Sequence, residues 1–273
     1  MMSNTQTAIE LNKFIKKFNS DLKKFLPKSS NTLNKSISYS ILVGGKRFRP
    51  FLTYTFAKAL KVSSSNAMKI GIAVEMIHNY SLVHDDLPAM DNDKYRRGKK
   101  TTHFKYNEYT AILAGCGLLT LSYKILSSPK LKLDTKVKAE LIYALTEISG
   151  EGGLLQGQFE DLSNKKNTYN YRIHINKLKT GKLMSYCTEA VGIAGKLNTK
   201  KINLLKKIGM NIGEIFQISD DFNDEPKMPT KEKKYLEKYR DTLYTQTLKL
   251  LKEANIKNLS VSNLLNYLML LKV

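Results

Sequence analysis

Four aspartates, Asp85, Asp86, Asp91 and Asp93, fall within SLVHDDLPAMDNDKYRRG at residues 81–98, and the tandem Arg96–Arg97 follows them. A second acidic run, QISDDFND at residues 217–224, carries Asp220, Asp221 and Asp224. Carboxylates gathered this way, with no cysteine or histidine in a ligating pattern beside them, are hard oxygen donors suited to Mg²⁺. Mg²⁺ is usually held by one or two carboxylates, with phosphate oxygens and water completing its shell. Arginine forks beside the acids can then take the remaining phosphate oxygens. The residue types point to a phosphorylated ligand lying between acids and arginines. Calcium fits less well, because no alternating acidic loop closed by a glutamate is visible. A single DDxxD run on a lysine-rich chain reads most simply as a solvated face. Two runs, one followed by RRG, are harder to read that way.

GGKRFRP at residues 44–50 sets Lys46, Arg47 and Arg49 in a glycine-led turn that can offer backbone N–H groups and basic side chains to a phosphate. KLKTGKL at residues 177–183 adds a second basic element with Thr180. His78 lies seven residues before Asp85, on the same helix face to within ~20°. Alone, such a histidine is an ordinary packed residue; beside these cations it reads as a phosphate donor.

Helices must position all of these groups. Asp220 and Asp224 sit ~40° apart on a helix. Like charges at that spacing, near a helix C-terminus, call for a cation to offset them. Asp85 and Asp91 would point ~240° apart on an unbroken helix. Pro88 lacks an N–H and clashes with the carbonyl of His84, which predicts a stop or kink that lets Asp91 fold back toward Asp85.

Apolar residues recur with helical period along nearly the whole chain. Residues 6–25 align Ile9, Phe14, Phe18, Leu22 and Phe25. A helix over 31–43 ends at Gly44–Gly45, and another starts near Pro50, a residue suited to a first turn. Further helices are expected over 63–86, 105–127, 135–149, 170–196, 199–222, 230–254 and 259–271. GEGGLLQG at 150–157 reads as a local break and EPKMPTKEKK at 225–234 as a polar loop. No strand alternation, repeat, low-complexity tract or linker is visible. The expectation is one all-α domain over residues 1–273, with about ten helices, too many for a four-helix bundle.

Hydrophobic residues make up 42% of the 273, a globular composition. The net charge of +21 invites a polyanion partner, but the lysines are scattered through the length and no nucleic-acid module or aromatic platform accompanies them. Solvated helix faces account for the excess, part of which can attract small anionic substrates. Cys116 and Cys187 form no CxxC pair and read as buried thiols of a reducing compartment. The N-terminus has no signal-type apolar run, and AILAGCGLLTL at 111–121 is shorter than the ~20 residues a bilayer requires. A cytoplasmic protein without a membrane anchor is expected.

EMIHNYSLVHDDLPAMDNDKYRRGKKTTH, with GGKRFRP before it and GQFEDL, KTGKL and FQISDDFND after it, resembles the trans-isoprenyl diphosphate synthases, most closely their bacterial short-chain farnesyl diphosphate branch. The resemblance covers about residues 40–224, in order. It implies an all-α fold around a deep central cavity, a homodimer, and Mg²⁺-dependent head-to-tail condensation of isopentenyl diphosphate with an allylic diphosphate. By similarity, Asp85, Asp86, Asp91, Asp220, Asp221 and Asp224 coordinate Mg²⁺, three ions once substrate is bound. Arg96, Lys179, Thr180 and Gln217 match contacts to the allylic diphosphate; Lys46, Arg49, His78 and Arg97 match the isopentenyl diphosphate site. Gln158 and Asp161 match the GQxxDL element lining the cavity. The catalytic set implied is Asp85, Asp86, Asp91, Lys179 and Asp220. Tyr80 and Ser81, five and four residues before Asp85, match positions that limit chain length, with Tyr80 as a floor for a C15 product.

Two departures stand out. The family's Gly-Lys element after the second acidic run is absent, leaving Lys227, Lys231, Lys233 or Lys234 as replacement cations, and the C-terminus LMLLKV keeps only Lys272. Geranyl or geranylgeranyl products, a terpene cyclase, and a catalytically weak partner subunit of a heteromeric synthase are the competing readings. A cyclase would not need the GGKRFRP site, and the intact acids argue against a silent subunit.

Overall fold

A computed structural model of the chain describes residues 2–163, 168–224 and 228–270, with side chains from residue 6 onward apart from 223 and 224. Asp224 sits at the end of a described helix, but its side chain, like Lys227 and Lys272, lies outside the described residues.

Thirteen α-helices are present among the described residues. The first four are α1 (Met2–Lys23), α2 (Thr32–Leu42), α3 (Phe48–Ala59) and α4 (Ser64–Asp85). A two-stranded hairpin follows, β1 (Tyr95–Arg96) and β2 (Lys99–Lys100), with Tyr95 opposite Lys100. Then come α5 (Thr102–Lys105), α6 (Glu108–Ser127), α7 (Thr135–Ser149), α8 (Leu154–Ser163) and α9 (Tyr169–Asn176). A π-helical turn over Lys177–Gly181 leads into α10 (Lys182–Ala194), followed by α11 (Thr199–Asp224), α12 (Thr230–Glu253) and α13 (Leu259–Leu270).

Helices α4 and α10 form the centre. Each is buried on nearly all sides, the condition expected of a helix that is apolar all round. α4 packs on α3, α6 and α10, and α10 on α7 and α11. Close approach depends on missing side chains. A Cβ on Gly213 of α11 would lie 2.9 Å from the Cα of Gly181, and one on Gly71 of α4 would lie 2.9 Å from Pro50 Cβ. Pro50 occupies the first turn of α3, as expected.

Three expectations change. The 105–127 segment divides, because the Asn107 side chain accepts from Thr110 N at 2.9 Å and caps a new helix. The supposed break at 150–157 contains the start of α8: Gly157 lies inside that helix, where a Cβ would meet Leu178 Cβ at 2.7 Å. The apolar run 111–121 belongs to the 20-residue helix α6, long and apolar enough to meet a membrane-span criterion, so shortness does not exclude spanning. Instead α6 buries Ala111, Ala114, Leu118, Ile125 and Leu126, packing against α4.

Candidate active site

The first acidic run is shaped by the end of α4. The helix stops at Asp85, and the chain turns through Pro88 so that Asp91 N–H donates to the Asp85 carbonyl at 2.8 Å. Asn92 adopts φ 57° to complete the reversal. Burial pushes the Asp85 carboxyl up to about 6, with Lys179 opposing and Asp91 adding to the rise. Asp86 is also raised by burial, although Arg96 Nε donates to its Oδ1 at 2.6 Å. Arg96 Nη2 also donates to Asp93 at 3.1 Å, while Thr101 and His103 bond the Asp93 carbonyl at 2.7 and 2.8 Å.

The GGKRFRP turn is built from unusual backbone: Gly44 and Gly45 have φ of 116° and 141°, and Arg47 is left-handed at 48°. That geometry sends Arg47 inward. Its guanidinium pairs with Glu75 at 2.7 Å and reaches Asn19 at 3.2 Å, both partners of the ion pair being buried. Arg47 therefore anchors the turn and does not face a ligand. Arg49 is different. It is buried, its Nε has no hydrogen-bond partner, and among the described residues no carboxylate pairs with it. One guanidinium nitrogen lies 3.3 Å from His78 Nε2, which must accept, since arginine only donates. Burial and then the Arg49 charge hold His78 well below the usual imidazole range, so it is neutral.

The second acidic run lies on α11. Gln217 donates to Asp221 at 2.9 Å and accepts from the Thr180 hydroxyl at 3.0 Å. Thr180 and Lys179 sit on the π-turn, a local widening of the helix that is frequent at functional sites. Lys179 donates to Asp161 of α8 at 2.6 Å. On α8 the amide of Gln158 is buried with neither atom bonded.

The 44–46 turn joins the two runs. Arg97, from the hairpin after the first run, donates to the Gly44 carbonyl, and a Cβ on Gly45 would come within 2.6 Å of its guanidinium. Lys46, one residue on, donates to Asp220 at 2.9 Å. Lys179 meanwhile acts electrostatically on Asp85. The two acidic runs thus flank one basic turn.

Among the described residues no three carboxylate, histidine or cysteine side chains converge as a ready-made cage. That fits Mg²⁺, which takes few protein ligands and completes its shell with phosphate. The donors offered are hard oxygens, and buried Asp85 carries a desolvation cost that a cation would offset.

A polyprenyl synthetase family model matches residues 30–264. The chain belongs to the polyprenyl synthetase family. It is 43% identical over 207 residues to the farnesyl diphosphate synthase of Micrococcus luteus, covering 74% of this chain and 69% of that one. It is 40% identical over 200 residues to the farnesyl diphosphate synthase of Bacillus subtilis, covering 71% and 67%. The apo crystal structure of an FPP/GFPP synthase from Zymomonas mobilis superposes with a TM-score of 0.86 at 30% identity, covering 98% of this chain and 99% of that one.

In this polyprenyl synthetase, Tyr80 is buried on α4 with its ring edge-on to His84 at 5.1 Å. The Ser81 hydroxyl is spent on the His78 carbonyl at 3.0 Å. His84 in turn reaches the Ile112 carbonyl at 3.1 Å, a contact that Gly115 permits because a Cβ there would lie 2.2 Å from the ring. Of the candidate replacement lysines, Lys233 sits 6.0 Å from the Phe222 ring centroid, with Arg240 on the same ring at 5.2 Å. Phe222 is ~200° around α11 from Asp220, so neither cation is on the Asp220 face. Lys231 and Lys234 are exposed on α12.

Glu75 and Asn176 escaped notice in the sequence, and Asp93 counts there only among the clustered acids, without a role, although each touches the site's framework: Asn176 reaches Asp221 at 3.4 Å and Asp93 accepts from Arg96 at 3.1 Å. A lone glutamate inside an otherwise apolar helix was the available signal for Glu75.

Proposed function

We propose that this polyprenyl synthetase joins isopentenyl diphosphate head-to-tail to dimethylallyl and geranyl diphosphates, with farnesyl diphosphate as its product. The observation that carries the reading is Arg49: a buried guanidinium, lacking a carboxylate and with an unmet N–H, beside a neutral His78. Such a group calls for an anion, and a second anion site is what distinguishes condensation of two diphosphates from cyclisation of one. Lys46 and Arg97 border the same turn and complete that isopentenyl diphosphate site.

The allylic diphosphate would lie between the acidic runs, with Arg96, Lys179, Thr180 and Gln217 on its oxygens. Asp85, Asp86 and Asp91 on one side and Asp220, Asp221 and Asp224 on the other would hold Mg²⁺, three ions with substrate present. Mg²⁺ held by these carboxylates would supply charge neutralisation for the departing diphosphate. Arg96, Lys46 and Lys179 are each paired with a carboxylate. Substrate binding exchanges those partners for phosphate oxygens, so the cations are pre-positioned where charge develops. The allylic cation left behind is attacked by the double bond of isopentenyl diphosphate, and a proton passes to the released diphosphate. Tyr80 is the floor that limits the tail to C15.

An exposed apolar strip on α6, Tyr109, Ile112 and Leu113, supports a homodimer through this helix. Both cysteines are free, but Cys116 is exposed on α6 and only Cys187 is buried, so the expectation of two buried thiols holds for one of them; free thiols suit a reducing, cytoplasmic setting.

The test is incubation of purified protein with Mg²⁺, labelled isopentenyl diphosphate and each allylic primer in turn. A C15 product from dimethylallyl and geranyl diphosphates is expected. No elongation of any primer would reject the proposal.

A further inference from the structure

The hairpin that carries Arg96 and Arg97 has an outward side with no part in the site above. Residues 94–105 contain Lys94, Lys99, Lys100 and Lys105 and no acidic residue. All four lysines are exposed. Three of them lie against aromatic rings, and none is paired with a carboxylate among the described residues. Lys94 and Lys100 lie 5.8 and 5.1 Å from the Phe104 ring centroid, and Lys105 lies 3.6 Å from that of Tyr39. Tyr95 packs edge-on to Phe104 at 5.5 Å and is 60% exposed. A groove of about 700 Å³ opens between this hairpin and α2, with exposed Leu42 on its wall.

We infer that this lysine and aromatic face docks the enzyme, peripherally and reversibly, on an anionic phospholipid surface. Clustered lysines are attracted to the negative surface potential of acidic lipids. Tyrosine and phenylalanine at the same face supply the amphipathic contacts favoured at a headgroup boundary. The combination fits lipid better than nucleic acid, because lysine ammoniums already cover the Tyr39 and Phe104 rings on which bases would stack. Docking here would hold the Arg96–Arg97 side of the site near the interface. The inference extends the proposed function but does not depend on it, since lipid binding is read without turnover.

The experiment is co-sedimentation of the full chain with vesicles of phosphatidylcholine alone and of phosphatidylcholine mixed with phosphatidylglycerol. Binding to the mixed vesicles only, weakening as salt rises, is expected. Lys99→Glu/Lys100→Glu should lower partitioning at least about tenfold, on the order expected for reversing two surface charges near acidic lipid. Tyr95→Ser/Phe104→Ser should lower the fraction that stays bound at higher salt. Lys249→Glu/Lys252→Glu on α12, at two exposed lysines with no part in the site, changes net charge equally and should bind like the parent. Circular dichroism and a melting temperature matching the parent's show that each variant is folded. Absence of binding to the mixed vesicles, an equal loss in the α12 variant, or retention of a duplex DNA probe in preference to the vesicles would overturn the inference.

Discussion

The backbone N–H of Asp91 donates to the carbonyl of Asp85 at 2.8 Å, so the residues that open and close the first acidic run are drawn onto one turn around Pro88. That bond replaces the continuation of α4, which would carry Asp91 to the far side of the helix. Pro88→Ala removes the steric stop. The variant should need a higher Mg²⁺ concentration for half-maximal rate and lose about tenfold or more in kcat, with helix content unchanged by circular dichroism. An unaltered Mg²⁺ dependence would show that the turn is set by something other than the proline.

Glu75→Gln leaves the Arg47 guanidinium buried without its counter-charge. Breaking one side of a buried ion pair costs about 3–5 kcal/mol, whereas Lys17→Ala, in the exposed pair with Asp21, should cost under ~1 kcal/mol. Urea unfolding measures both. Similar small losses in the two variants would contradict an anchoring role for Arg47.

His78 is held neutral in the folded chain, below its ordinary 6.5. As pH falls through about 6.5, the unfolded chain takes up a proton that the folded chain refuses, so stability drops on the acid side. His78→Gln keeps an acceptor for Arg49 but cannot titrate. Its melting temperature should fall less steeply than the parent's below that pH, and parallel curves would remove His78 from the account.

Tyr80→Ala should extend the product beyond C15, read by chromatography of the labelled prenols. The ratio of product lengths does not depend on how much protein is folded, so the core cost of the substitution does not obscure it. An unchanged ratio would make Tyr80 a packing residue only.

Much of this was legible in the amino-acid order. The expected helix over 135–149 coincides with α7, and Pro88 alone foretold the reversal that brings Asp91 back. What escaped depended on partners distant in the chain. Gly157 looks like a helix breaker until Leu178 is seen to occupy the space of its missing Cβ. Read from the turn alone, Arg47 and Arg49 are alike, and only the resemblance singles out Arg49; the left-handed φ of Arg47 and the presence of Glu75 on α4 turn Arg47 inward, while Arg49 pairs with no carboxylate among the described residues. The π-turn that carries Lys179 and Thr180 leaves no mark on the periodicity of 170–196.

Central to the account is that Asp85 and Asp220, on separate helices, serve one diphosphate. Calorimetric titration of a non-ionisable thio analogue of geranyl diphosphate, with and without Mg²⁺, tests this in the parent, Asp85→Asn and Asp220→Asn. The account predicts Mg²⁺-dependent binding in the parent and a loss of about a hundredfold or more in each variant separately. Full-strength binding that persists without Mg²⁺, or that survives loss of either aspartate, would contradict it.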